Sequence, residues 1–385
     1  MDDDTSALLR LIHAGGPAAC RRALLDHHPS PDAALRAGPA AWRQAGLSAA
    51  QIEALSRPDQ AALARSLAWL DGDGHHLIGW HDADYPELLR RIPSPPLALF
   101  VAGDPMLLWH PAIAVVGSRT PTAGGRDNAH DFALALARAG MAIGSGMAAG
   151  IDAAAHEAAL SLPDGRTVAV LGTGPDVAYP RIHRGLRDRI VARGAVVSEH
   201  PPGTGPLQSH FPSRNRILAG LTLATLVIEA AERSGALITA RQAVESGRDV
   251  FAVPGSIHNP LARGCHRLIR DGAGLVESAD EILAAAGAMA AGLAQALQQR
   301  IGTSGTEPAP VAMPSETMAA ADTDYKRLWN ALGHDPTPMD RLIERSGLTA
   351  AEVSSMLLLM ELDGRVAVEH GRYTRKRFLS STASP

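Results

Sequence analysis

Six short apolar runs constrain this chain more than any other feature. AIAVVG, AIGSG, TVAVLG, AVVSE, ATLVIEA and DVFAVPG follow one another between Ala112 and Gly255, separated by longer stretches that are mostly of helical periodicity. Runs this short and this apolar do not alternate with polar residues, so strands built from them need cover on both faces. A parallel sheet with helical crossovers supplies that cover, because each crossover lays a helix on the sheet. The middle of the chain is therefore predicted to be an α/β domain with a doubly wound parallel sheet.

A chain of 385 residues accommodates two or three domains at roughly 100 to 200 residues each. Residues 1–74 carry apolar side chains at helical spacing (Leu8, Leu9, Leu11, Ile12, then Leu24, Leu25, then Ile52, Leu55), broken at Gly15, Gly16, Pro17 and Gly46. This predicts a small all-α module, SAM-like or helix-hairpin-helix-like. Its HAGGPAAC break either holds a phosphate at a helix N-terminus or simply connects two helices. Residues 75–286 contain the α/β domain, entered through a Pro-rich, irregular segment. Residues 287–321 read as a helix end and a flexible linker rich in Pro, Ser and Thr. Residues 322–378 show three helical patterns and then RVAVEHGRYTR, a pair of short strands around Gly371. That is the pattern of a winged helix, with Thr349 as an N-cap.

The formal net charge of -4 argues against a uniformly basic protein but leaves room for a local basic groove. From Ile113 to Asp271 arginines outnumber carboxylates by 17 to 13. Cys20 and Cys265 lack metal-ligand spacing and are expected to be reduced and buried. The acidic start MDDDTSALLR has neither the basic flank nor the cleavage pattern of a leader, and no stretch is strongly apolar over about 18 residues. The expectation is a cytoplasmic protein with no membrane partner. No Walker lysine, G-x-S-x-G elbow or H-E-x-x-H is present. Asp152 and His156 fall one helical turn apart, but no third ligand accompanies them, so Asp152 is expected to brace a glycine loop with His156 packed beneath it. No catalytic residue, cofactor or metal is predicted.

In an open parallel sheet, ligands lie beyond the carboxyl ends of the strands. Gly117, Ser118, Arg119, then Gly146, Met147, Ala148, then Gly172, then Ser213 to Arg216, then Ser234 and Gly235 stand at such positions. Small residues let backbone amides approach an anion closely, and helix N-termini favour it. Within HFPSRNRILAGL, however, Arg214 and Arg216 occupy a first helical turn, where the macrodipole disfavours cations. A phosphate held between them and Arg119 offsets that cost; pairing with carboxylates such as Glu229 or Glu232 is the alternative. Gly144, Gly146 and Ala149 have dinucleotide-fingerprint spacing, but Asp164 precedes the next strand instead of ending it, which disfavours a nicotinamide cofactor. Several anions along one edge, with an aromatic ring among them, describe an unpaired nucleic-acid strand. Phe211, directly before the arginines, is the candidate stacking ring, with ordinary core packing ahead of Pro212 as the alternative.

VVGSRTPT, SGMAAGIDAAAH, VLGTGPDVAYP, HFPSRNRILAGL, ERSGALITARQAVESGRDVFAVPGSI and RGCHRLIRDGA, in this order, resemble the DNA processing protein A (DprA/Smf) family. The resemblance covers the whole α/β domain and implies an extended Rossmann-like fold that binds single-stranded DNA without a cofactor. It further implies dimers through that domain, loading of the recombinase RecA during natural transformation and homologous recombination, and no enzymatic activity. By motif, Gly117, Ser118 and Arg119 resemble the phosphate-binding turn. Phe211, Ser213, Arg214, Asn215 and Arg216 resemble the stacking and phosphate-binding segment. The family often has a basic residue where this chain has Gln208, which puts one backbone contact in doubt. The winged helix carries TAAEVSSMLLLMELDG at the recognition position, without an arginine until Arg365, which favours protein docking or an accessory role. Two other classes compete: a phosphoribohydrolase-like nucleotide enzyme, whose P-G-G-x-G-T-x-x-E stretch is missing here, and a winged-helix transcription regulator.

Overall fold

The computed structural model describes residues 3–301, 322–333, 335–362, 365–369 and 372–375. The segment 302–321, read as a linker, and Gly371 lie outside them. The apolar runs form strands β3 (Ala112–Val116), β4 (Ala142–Ser145), β5 (Thr167–Val170), β6 (Ala195–Ser198), β7 (Ala224–Val227) and β8 (Asp249–Ala252). Two further strands precede them, β1 (His75–Gly79) and β2 (Ala98–Gly103), and the two-residue β9 (Gly274–Leu275) follows. The sheet order is β1-β2-β6-β5-β4-β3-β7-β8-β9. Strands from β6 to β9 are all parallel, whereas β2 pairs antiparallel with β6, and β1 with β2.

The segment expected to be irregular is thus part of the sheet. Its strand β2, ALFVAG, is buried almost throughout. The Pro-rich stretch between β1 and β2 is ordered by Tyr85, fully buried with its hydroxyl donating to Pro96 O at 2.8 Å.

Alternation along the strands builds two cores, as expected for a sheet covered on both faces. Ala114 and Val116 face one core, completed by the helices His210–Leu221, Gly235–Glu245 and Arg263–Arg270. Ile113 and Val115 face the other, completed by the helices Ala123–Arg138, Ile151–Leu160 and Ala279–Ile301. The connection from β6 to β7 changes faces, so the winding reverses between β3 and β7. This is a doubly wound, Rossmann-like sheet.

The N-terminal module is helical up to Leu70. Its glycine turn is a connector filled by its own side chains. Arg21 donates to Leu11 O, Ile12 O and Gly16 O at 2.7–3.1 Å, and Gln51 Nε2 to Gly15 O at 2.8 Å. Both cysteines are free; Cys265 is buried and Cys20 only half-buried. The C-terminal unit has helices Asp322–Ala331, Met339–Ser346 and Ala350–Leu362, with strands β10 (Thr337–Pro338), β11 (Val366–Glu369) and β12 (Arg372–Arg375) in the order β10-β12-β11. Thr349 caps the last helix reciprocally: its Oγ1 accepts from Glu352 N at 3.4 Å while Glu352 Oε2 accepts from Thr349 N at 2.8 Å. This is the winged helix predicted from the sequence.

Candidate nucleic-acid interface

The turn after β3 projects Arg119 from a rigid base. A Cβ at Gly117 would stand 2.7 Å from Ile151 Cγ1 and 2.9 Å from Glu229 O, so only glycine fits without a shift. Ser118 is buried; its Oγ accepts from Thr120 N at 3.1 Å and its carbonyl from Ile151 N at 3.1 Å. Arg119 leaves this base into solvent, with no carboxylate at ion-pair distance among the described residues, and its guanidinium carbon lies 6.0 Å from the Phe211 ring centroid.

Phe211 is half-exposed and belongs to none of the buried clusters among the described residues. Its helix brings it to the end of β5. There Gly172 makes room: a Cβ would lie 3.1 Å from Phe211 Cδ1, and the Gly172 carbonyl meets His210 Nδ1 at 3.2 Å. Gln208 is exposed at the approach to this helix, and Ser213 is half-buried with its Oγ donating to His210 O at 3.0 Å.

Two of the three arginines expected at the phosphates already have partners within the fold. Arg214 is 5% exposed and turns inward, donating through Nη1 to Val170 O, with Asp152 as its opposing charge. Burial brings its pKa down to about 10, and the Asp152 carboxylate works against that fall. In this arrangement the guanidinium faces the interior of the fold. Arg216 forms a two-pronged ion pair with Glu199, Nη1 to Oε1 at 2.7 Å and Nη2 to Oε2 at 2.6 Å. Its Nε donates to Ser94 O and its Nη1 also to Ser213 O, both at 2.8 Å. Four of its five N–H groups are thereby used. The helix starts at His210, so Arg214 and Arg216 lie in its second turn and not in the first turn expected from the sequence, and the charges that meet them are Asp152 and Glu199.

The glycine loop after β4 is likewise partnered from within the fold. Gly146 N and Ala148 N donate to Asp152 Oδ2 at 3.1 and 3.3 Å, and Met147 is fully buried with φ 57°. These groups are committed to contacts within the fold. Asp152 braces the loop as expected, and burial raises its pKa. His156 lies beneath, its Nδ1 2.6 Å from Thr167 Oγ1. That hydroxyl donates to Ile143 O at 2.7 Å, so it accepts from the imidazole.

At the reversal point between β3 and β7, the start of the helix Ala123–Arg138 is filled by the chain's own carboxylate. Glu229 accepts from Thr122 N at 2.9 Å, Thr122 Oγ1 at 2.7 Å and Asn259 Nδ2 at 2.9 Å. A dinucleotide-binding domain offers such a helix N-terminus to a pyrophosphate. Glu229 takes that place. Among the described residues, no group of three or more His, Cys, Asp or Glu side chains is disposed to hold a metal ion.

Ser234 and Gly235 stand apart from the Arg119–Phe211 pair. Ser234 caps the helix Gly235–Glu245 through Ala236 N, and both residues line a wide groove with Arg233, Arg241, Phe251 and Asp271. A long contact of 3.5 Å from Asn215 Nδ2 to Gly235 O joins them to the rim. Sequence reasoning missed Tyr179, whose ring centroid is 5.1 Å from that of Phe211. The signal was present: in a chain with only four tyrosines and five phenylalanines, DVAYPRIHR sets an aromatic ring beside two arginines at a strand end.

Residues 76–287 match the family model of DNA recombination-mediator protein A, and residues 309–372 that of the DprA winged helix domain. Protein Smf of Escherichia coli (strain K12) is 39% identical over 337 residues, 87% of this chain and 86% of that protein. DNA processing protein DprA of Streptococcus pneumoniae (strain ATCC BAA-255 / R6) is 48% identical over 203 residues, 53% of this chain and 71% of that protein. The X-ray structure of DNA processing protein A from Streptococcus pneumoniae superposes with a TM-score of 0.64 at 38% identity, covering 71% of this chain and 95% of that one. Sequence and fold agree, and the chain belongs to the DNA recombination-mediator protein A family, the DprA/Smf DNA-processing proteins.

Proposed function

We propose that this protein binds single-stranded DNA at the carboxyl rim of its central sheet and mediates loading of the recombinase RecA onto that strand during DNA uptake and homologous recombination. The observation that carries the reading is Arg119, an exposed guanidinium beside the half-exposed ring of Phe211. A cation for phosphate and a ring face for a base are the two elements of sequence-tolerant single-strand binding. No catalytic step is proposed, since Asp152 and His156 are buried and committed to the fold. The protein acts in the cytoplasm as a homodimer joined through the central domain. The two-residue edge strand β9 and the exposed Ile238, Val244 and Leu275 support that side as the meeting face. The winged helix takes a protein-docking or accessory role.

The test is a titration of a fluorescent oligonucleotide, single- and double-stranded, at several salt concentrations. Arg119→Ala should weaken binding equally for all sequences and reduce the salt slope by about 0.7, the loss of one phosphate contact on a single strand. Arg216→Ala removes a guanidinium already held by Glu199 and Ser94, so the slope should stay unchanged. Wild-type affinity in the Arg119→Ala protein at every salt concentration overturns the reading. Stronger protection of a specific duplex would favour a transcription regulator, and release of base from a nucleoside monophosphate a phosphoribohydrolase.

A further inference from the structure

Tyr179 shares the rim with Phe211. The two ring planes are inclined at 38° with centroids 5.1 Å apart, and Tyr179 is 41% exposed. Tyr85 is buried and anchored through its hydroxyl; the Tyr179 hydroxyl has no hydrogen bond among the described residues. What Tyr179 offers is therefore its ring face. Rings tilted in this way cannot cover one another fully, so each keeps area for a flat apolar partner.

The segment bearing Tyr179 is held at several points. Thr173 Oγ1 donates to Val177 O at 2.6 Å, Gly174 N to Thr204 O at 2.8 Å, and Arg187 Nε to Pro175 O at 2.9 Å. His183 Nδ1 meets Met147 O at 2.9 Å, which ties the segment to the glycine loop. A ring on a fixed support loses little conformational freedom when a ligand arrives. Directly after it, Arg181 and Arg184 are exposed without an ion-pair partner among the described residues, and Ile182 between them is 85% exposed. A lone exposed isoleucine is unremarkable on a protein surface. The second ring and the two cations carry the weight.

We propose that Tyr179 is a second base-stacking residue, and that Arg181 and Arg184 carry the phosphates of the same unpaired DNA strand past Phe211. The proposal rests on the single-strand reading of the rim and extends its footprint along the end of β5. A peptide of acidic residues would satisfy the arginines but leave both ring faces uncovered, so the combination favours a nucleic-acid strand.

Fluorescence anisotropy with oligo-dT at several salt concentrations tests it, with Phe211→Ala as a reference. Tyr179→Ala should lose roughly five- to a hundredfold in affinity with an unchanged salt slope, the signature of a lost stacked base. Tyr179→Phe should bind as wild type. Tyr179→Leu, which fills space without a π-face, should bind as poorly as Tyr179→Ala. The double variant Arg181→Ala/Arg184→Ala should lower the slope by about 0.7 for each contact removed. Recovery of affinity in Tyr179→Leu, or wild-type binding by Tyr179→Ala while Phe211→Ala is impaired, overturns the proposal and leaves the single-strand reading standing. Wild-type binding by both Phe211→Ala and Arg119→Ala overturns the two together.

Discussion

Arg119, Arg214 and Arg216 all reach the carboxyl rim, yet their surroundings give them different tasks. Arg119 meets solvent and a ring face, Arg214 is enclosed against Val170 O and Asp152, and Arg216 is clamped by Glu199 and Ser94. The enclosed groups make stability depend on pH. Burial holds the pKa of His156 down at about 3, against 6.5 for a free imidazole, and its Nε2 has no partner among the described residues. Between those values the unfolded chain binds a proton that the native chain refuses. Stability is therefore fully present above pH 6.5 and is lost as the pH falls below it. At pH 5 this amounts to about 2 kcal/mol. Asp152, whose raised pKa acts in the opposite sense, offsets part of the loss in the carboxylate range. Urea unfolding at pH 7.5 and pH 5 checks this: His156→Gln should show a smaller decline than wild type.

At the scale of elements, the glycine loop after β4 and the helix His210–Leu221 form one unit. Gly146 lies against the Arg214 guanidinium so closely that a Cβ would overlap it, while Asp152 binds the loop amides. Gly146→Ala must therefore displace the Arg214 guanidinium from Val170 O and from the neighbourhood of Asp152, at the helix that carries Phe211. The expected cost is about 1–3 kcal/mol, read as a lower urea midpoint together with weaker single-strand binding. The strands from β3 to β8 were legible because each apolar run is long enough to cross the sheet and is followed by a helical pattern. Strand β2 was not, because the prolines at 93, 95 and 96 before ALFVAG mask a run as apolar as the others. The partners of Arg214 and Arg216 were equally hidden, since Asp152 and Glu199 lie 62 and 17 residues away in sequence.

Over the whole molecule, the winged helix rests on the helix Ala123–Arg138, which starts just beyond the Arg119 turn. Arg345 donates through Nε to Asp127 Oδ2 at 2.7 Å and pairs with it through Nη2 at 2.6 Å; Arg341 approaches Asp131 at 4.0 Å. Asp127→Arg sets like charges face to face and should release the winged helix. Small-angle scattering should then show a larger radius of gyration. Single-strand affinity should stay within about twofold, because the proposed contacts lie on the central domain, and DNA binding lost along with docking would place part of the strand on the winged helix.

The sequence by itself determined the class of this protein. Short apolar runs between helical patterns allow little besides a doubly wound parallel sheet, and a sheet of that kind fixes where strand ends, glycine turns and helix starts converge. The tertiary structure alone decided which of the converging groups remain available. A charged side chain's partner is set by what the fold brings within a few ångströms of it, and residues far apart in sequence supply that partner. Asp152, Glu199 and Glu229 therefore took up groups that looked free in the sequence, and left Arg119, Phe211 and Tyr179 facing solvent.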